Sequence, residues 1–70
     1  MHGNGDDLHQ TTMEARSKLY DLITYFRKTA SSTNDPKAKA TFTFAAEVIA
    51  GLARAFRAFQ KQLEIDNPDE

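Results

Sequence analysis

Ser31-Ser32-Thr33-Asn34-Asp35-Pro36 is the stretch that decides the fold. Four short polar side chains in succession, followed by Asp35, compete with a helix for backbone hydrogen bonds. Pro36 suits the first position of a new helix, where its fixed φ is helical and no N–H is needed. Asp35 is then the natural N-cap. A linker of four or five residues joins antiparallel neighbouring helices. The chain therefore reads as helix, turn over 31–35, helix.

Upstream of the turn, periodicity marks a helix over about 6–31. At about 100° per residue, Leu8, Thr12, Ala15, Leu19, Leu22, Ile23, Phe26 and Ala30 share one arc. Thr11 and Glu14 have capping-box spacing, but Leu8 lies on the same stripe. Asn4, Asp6 or Asp7 can cap an earlier start, which is the favoured reading.

Downstream, a second helix runs over about 36–64. Phe42, Val48, Ile49, Leu52, Phe56, Phe59 and Leu63 make its main stripe, with Ala38, Ala45 and Ala55 on the same side. Ala40, Phe44, Gly51, Ala55 and Ala58 add a ridge of mostly small residues. The apolar arc reaches roughly 200°, against about 100° for a helix that covers one partner. Gly51 costs about 1 kcal/mol relative to alanine in mid-helix. Close approach of another helix is the expected offset.

These segments give an all-α fold, an antiparallel two-helix hairpin. Its helices are matched at about 39 and 43 Å. One layer of two helices cannot surround its own apolar side chains. Seventy residues without cysteine have neither disulfides nor thiolate metal sites to compensate. Dimerisation into a four-helix bundle, with the second helix central, is therefore expected. Residues 1–5 read as a flexible start and 65–70 as an acidic tail. The polar start is unlike a signal peptide. No apolar run approaches a membrane span, and absent cysteine fits a reducing compartment, so the expectation is a cytoplasmic protein without a membrane.

The chain carries no set for catalysis. His9 has no Cys, Asp, Glu or His three or four residues on, and His2, with Asp6 four residues on, lies in the flexible start, so neither is read as starting a helical metal site. Glu14, Asp21 and Glu47 lack the Glu-x-x-His pairs of a di-metal bundle. Ser17, Ser31 and Ser32 have no nearby histidine, and no strand precedes a Gly-rich loop. The reading is of a non-enzyme with no catalytic residues, cofactor or metal.

Net charge is −1, yet all nine Lys and Arg fall between Arg16 and Lys61, so residues 8–63 carry +5 between acidic ends. Two functions follow. The first is a protein–protein interaction module (an adaptor, co-chaperone or inhibitor-like regulator) using Met13, Tyr20, Phe44, Gly51, Phe56 and Ala58. The second is a dimeric nucleic-acid-binding regulator presenting Arg16, Lys18, Arg27, Arg54, Arg57 and Lys61. Against the second, basic groups near a helix carboxyl end also complement its dipole and can pair with acids across the hairpin. The first reading is preferred.

Overall fold

A computed structural model describes the backbone of residues 4–66 and the side chains of residues 7–65. Two helices, α1 (Asn4–Ser32) and α2 (Pro36–Asp66), pack against each other as an antiparallel hairpin. The molecule measures 51 × 15 × 14 Å. Most of the flexible start (1–3) and of the acidic tail (67–70) lies outside the described residues. The helices claim Asn4, Gly5, Ile65 and Asp66 from those two segments. The early start of α1 leaves Thr11 in mid-helix, so the capping-box alternative is not used. Glu14 instead accepts from Gln10 Nε2 at 3.1 Å.

The turn is three residues, shorter than expected. Ser31 and Ser32 stay in α1, and Ser32 Oγ donates to the Thr29 carbonyl at 3.3 Å. The Thr33 N–H still reaches the Thr29 carbonyl at 3.1 Å, which extends α1's hydrogen bonding into the turn. Asp35 caps α2: its Oδ2 accepts from the Ala38 N–H at 3.2 Å, and its carbonyl accepts from the Lys39 N–H at 2.9 Å. Asp35→Ala is expected to cost about 1 kcal/mol in a denaturant titration, with Asp35→Asn close to the parent. Lys39 Nζ then reaches back 2.7 Å to the Ala30 carbonyl. It supplies positive charge to the carboxyl end of α1, whose own last turn has no basic residue.

The helices meet along a seam with alternating three- and four-residue steps, the spacing of a coiled coil. On α1 the seam runs through His9, Thr12, Arg16, Leu19, Ile23, Phe26 and Ala30, and Thr33 continues it into the turn. On α2 it runs through Phe42, Ala46, Ile49, Ala53, Phe56, Gln60 and Leu63, all buried or half-buried. At its centre Ile23 packs with Ala46 and Ala53, flanked by Leu19, Phe26, Ile49 and Ala50. Phe26 meets Phe42 at 5.6 Å between ring centroids. Thr12 is buried without cost to its hydroxyl, which donates to the Leu8 carbonyl at 2.6 Å.

The seam corrects the expected stripes. Val48, Leu52 and Phe59 do not face α1 but stand exposed, as does Leu8. Leu22 lies at the edge, 38% exposed. Ala46 and Ala53, on neither expected stripe, are the best-buried residues of α2 at 2%. Small residues there let α1 come close enough for Ile23 to seat between them. Gly51 is a second correction: it sits on the outer face of α2, in register with Phe44 and Ala58. An added methyl there would meet only Arg54 Nη2, at an ordinary 3.6 Å. With no α1 backbone nearby, Gly51→Ala is expected to raise stability by roughly 0.5–1 kcal/mol through helix propensity. Thermal unfolding followed by circular dichroism reads this directly.

Candidate interaction surface

Each flank of the seam is a side of the hairpin. In an antiparallel pair, the positions just before the first seam residue of each heptad lie beside each other, and those just after the second do likewise. The two sides differ sharply in chemistry.

The first side carries Leu8, Ala15 and Leu22 from α1 and Ala45, Leu52 and Phe59 from α2. Tyr25 and the outer column Val48 and Ala55 extend it. Tyr25, Val48, Leu52 and Phe59 are 61, 51, 45 and 43% exposed. Lys18 is the one charged side chain on this side among the described residues. No large side chain among them is fully buried anywhere in the hairpin. Six of the ten exposed large apolar residues, Leu8, Leu22, Tyr25, Val48, Leu52 and Phe59, thus share this one side, whereas single exposed ones would need no explanation.

The second side is polar and basic. Arg16, Arg57 and Lys61 line a cleft of about 190 Å³ with Gln60 and Glu64. Nearer the turn, Arg27 and Lys39 line another of about 350 Å³ with Ala30, Ser31, Thr43, Ala46 and Glu47. Arg16 is half-buried in the seam. Its Nη1 donates to Gln60 Oε1 at 2.6 Å and its Nη2 to Tyr20 Oη at 3.4 Å, while its buried Nε has no partner. Its guanidinium also lies 5.8 Å from the centroid of the Tyr20 ring. His9 Nε2 lies 3.3 Å from Gln60 Nε2 and 3.2 Å from Glu64 Oε2, so this one ring atom either accepts from Gln60 or, when it carries a proton, donates to Glu64. The His9–Glu64 contact is the one ion-pair geometry among the described residues, and it is an ion pair only when the imidazole is charged. The Lys and Arg side chains thus find no carboxylate within pairing distance among these residues.

The Arg16 hydrogen bond, reinforced by the positive charge of Arg16 and Arg57, holds the Tyr20 phenol below its ordinary pKa despite an opposing desolvation effect. The phenolate is the form favoured by these cations. Arg16→Gln is therefore expected to move the Tyr20 ionisation to higher pH. Absorbance near 295 nm during an alkaline titration, with Tyr25→Phe to isolate the signal, checks this.

The residues read as a protein interface fall on three different surfaces. Met13 and Tyr20 lie on the polar side and line one cleft with Arg16 and Gln60. Phe44, Gly51 and Ala58 lie on the outer face of α2. Phe56 is half-buried in the seam. Of the residues read as nucleic-acid contacts, Arg16, Arg57 and Lys61 come together, with Arg54 and Arg27 on the same side. Lys18 projects from the apolar side. Leu8, Leu22, Val48, Leu52 and Phe59 escaped a reading as a separate surface. Their signal is the seven-residue recurrence of Leu8, Ala15 and Leu22 and of Ala45, Leu52 and Phe59, one position before the seam.

Among the described residues no three His, Cys, Asp or Glu side chains gather as a metal site, and no helix is long and apolar enough to cross a membrane. No known protein family, curated protein or solved structure matches the chain.

Proposed function

We propose that the protein is a small, non-catalytic protein–protein interaction module. It acts through exposed apolar helix surface as a homodimer of hairpins in a four-helix bundle. The observation that carries this reading is the apolar side: Leu8, Leu22, Val48, Leu52 and Phe59 project from one side with Lys18 as its one charge among the described residues. Covering that side would create the second layer that a lone hairpin lacks. A side 51 Å long and 15 Å wide also suits a standard interface, to which each partner contributes about 800 Å². Phe44, with Gly51 and Ala58 on the outer face of α2, stays outside such a bundle and is the surface for a further protein. A chain without cysteine suits the cytoplasm. Sedimentation at micromolar concentration tests the assembly. The expected particle has twice the 7.9 kDa chain mass. A folded monomer at all concentrations rejects the dimer.

A second reading, nucleic-acid binding, has its own observation in the convergence of Arg16, Arg57 and Lys61 beside Arg54. Phosphate contacts by these groups predict affinity for RNA or DNA that falls at least tenfold between 50 and 200 mM salt. Filter binding without such salt-sensitive retention eliminates this reading. Glu47 and Glu64 on the same side weaken the positive field and keep it second.

A further inference from the structure

We infer that the cleft between Arg16, Arg57 and Lys61 is a binding site for a single phosphate group, free or as the monoester of a small molecule. The cleft opens on the polar side, so the inference holds whether or not the apolar side pairs two hairpins. It draws on the same cations as the nucleic-acid reading but needs no nucleic acid.

Both helices supply the site. Arg57 and Lys61 stand four residues apart on α2, with Gln60 and Glu64 beside them around the cleft of about 190 Å³. Arg16 faces them from α1, where its Nη1 donates to Gln60 Oε1 at 2.6 Å and its Nη2 to Tyr20 Oη at 3.4 Å. Those two bonds hold the guanidinium in place, so an arriving anion has little side-chain freedom left to freeze.

The two ordinary reasons for gathered cations do not apply here. One is pairing with carboxylates across the hairpin. Among the described residues, the single ion-pair geometry is His9 with Glu64, and it involves no Lys or Arg. The other is complementing a helix dipole. That effect is confined to the last turn, and the last turn of α2 holds no basic residue. Arg57 and Lys61 instead repel each other at a spacing of four. Arg16 keeps its charge half-buried, with its Nε shut from water and unpartnered. A charge withdrawn from water is costly until an opposite charge meets it. An anion in the cleft offsets both penalties.

Charge and shape select phosphate. Three cations against the Glu64 carboxylate leave two positive charges, which match a phosphate monoester dianion. Guanidinium forks donate in pairs to phosphate oxygens, and the lysine adds a point charge. The Tyr20 phenol already registers this field: the Arg16 hydrogen bond, then the charges of Arg16 and Arg57, hold it below its ordinary pKa.

A polyanion is served less well, because a nucleic acid needs cations strung along its backbone. Arg54 Nη2 lies 3.6 Å from where a methyl on Gly51 would stand, toward the outer face of α2. Arg27 and Lys39 line a separate cleft near the turn, together with Glu47, and Lys39 is engaged with the Ala30 carbonyl. Asp21 lines the cleft beside Tyr20. Positive charge is thus concentrated at one point.

Inorganic phosphate and glycerol phosphate are the probes, each titrated against the full chain at about pH 7.5 and constant ionic strength, which holds screening fixed. Heteronuclear NMR is expected to show saturable shifts at Arg16, Arg57, Gln60 and Lys61, and none with chloride. Whichever probe binds tighter names the source, free ion or monoester. Arg57→Gln and Lys61→Gln should each weaken binding about three- to fivefold, the size of an exposed ion pair. Glu64→Gln removes the one carboxylate of the cleft and should strengthen binding by about the same factor. Lys28→Gln makes the same charge change on the outer face of α1 and should alter binding less than about twofold. Circular dichroism checks that each variant keeps its helices. Unsaturated shifts that chloride reproduces, or equal weakening by Lys28→Gln, overturn the site. So does an RNA or DNA oligonucleotide that binds roughly 100-fold tighter than either probe and depends on Arg27 as much as on Arg57, which returns these cations to the nucleic-acid reading.

Discussion

Leu52→Glu is expected to leave a monomer. In the hairpin alone Leu52 is 45% exposed and supports nothing that a glutamate must break. In the proposed dimer it lies near the middle of the apolar side that the partner covers. A carboxylate there would lose water on association, which costs several kcal/mol. Dimer dissociation should therefore rise more than 100-fold. Sedimentation equilibrium of parent and variant reads it directly. A second signature is thermal. The Tm of an associating chain rises with protein concentration, because mass action favours the bound, folded state. The parent should show that rise, and Leu52→Glu should lose it. An unchanged particle mass in the variant excludes this side as the contact.

Ile23→Ala is the largest expected change in stability within the hairpin, about 2–4 kcal/mol. Ile23 is 6% exposed and is the one large buried side chain of the central cluster. It projects from α1 between Ala46 and Ala53, where opposing helix backbone cannot collapse into the space left behind. Removing it creates a cavity as well as losing transfer free energy. Val48→Ala, on the apolar side, is the contrasting variant. Under conditions where Leu52→Glu is monomeric, adding Val48→Ala to it should change stability by less than 1 kcal/mol, because Val48 is half exposed in the hairpin. Urea titrations of both substitutions in the Leu52→Glu background separate packing within one chain from packing between chains. Equal effects would show that the seam and the apolar side bear on hairpin stability alike, against the present account.

Much of the site was hidden in the sequence for a definable reason. The basic residues from Arg54 to Lys61 are legible as a group. Their meeting with Arg16 depends on a cross-helix register that no local signal contains. The Arg16–Gln60 hydrogen bond joins residues 44 positions apart. Ala46 and Ala53 were equally hard to read. An alanine is as plausible on a stripe's edge as at its centre until the neighbouring helix supplies Ile23.

The local chemistry of the chain determined the two helices, the turn before Pro36, the Asp35 cap and the antiparallel pairing. Each rests on contacts within a few residues or on matched helix lengths. Only the tertiary structure decided the rotational phase of α2. An apolar arc near 200° offers two lines along which α1 can dock. The line through Ala46, Ile49, Ala53 and Phe56 brings the helices closest and lets Ile23 and Phe26 interdigitate. The bulkier line through Val48, Leu52 and Phe59 is left beside the seam. It shares one continuous side with Leu8 and Leu22, and that exposed apolar side is the surface on which the proposed interface rests.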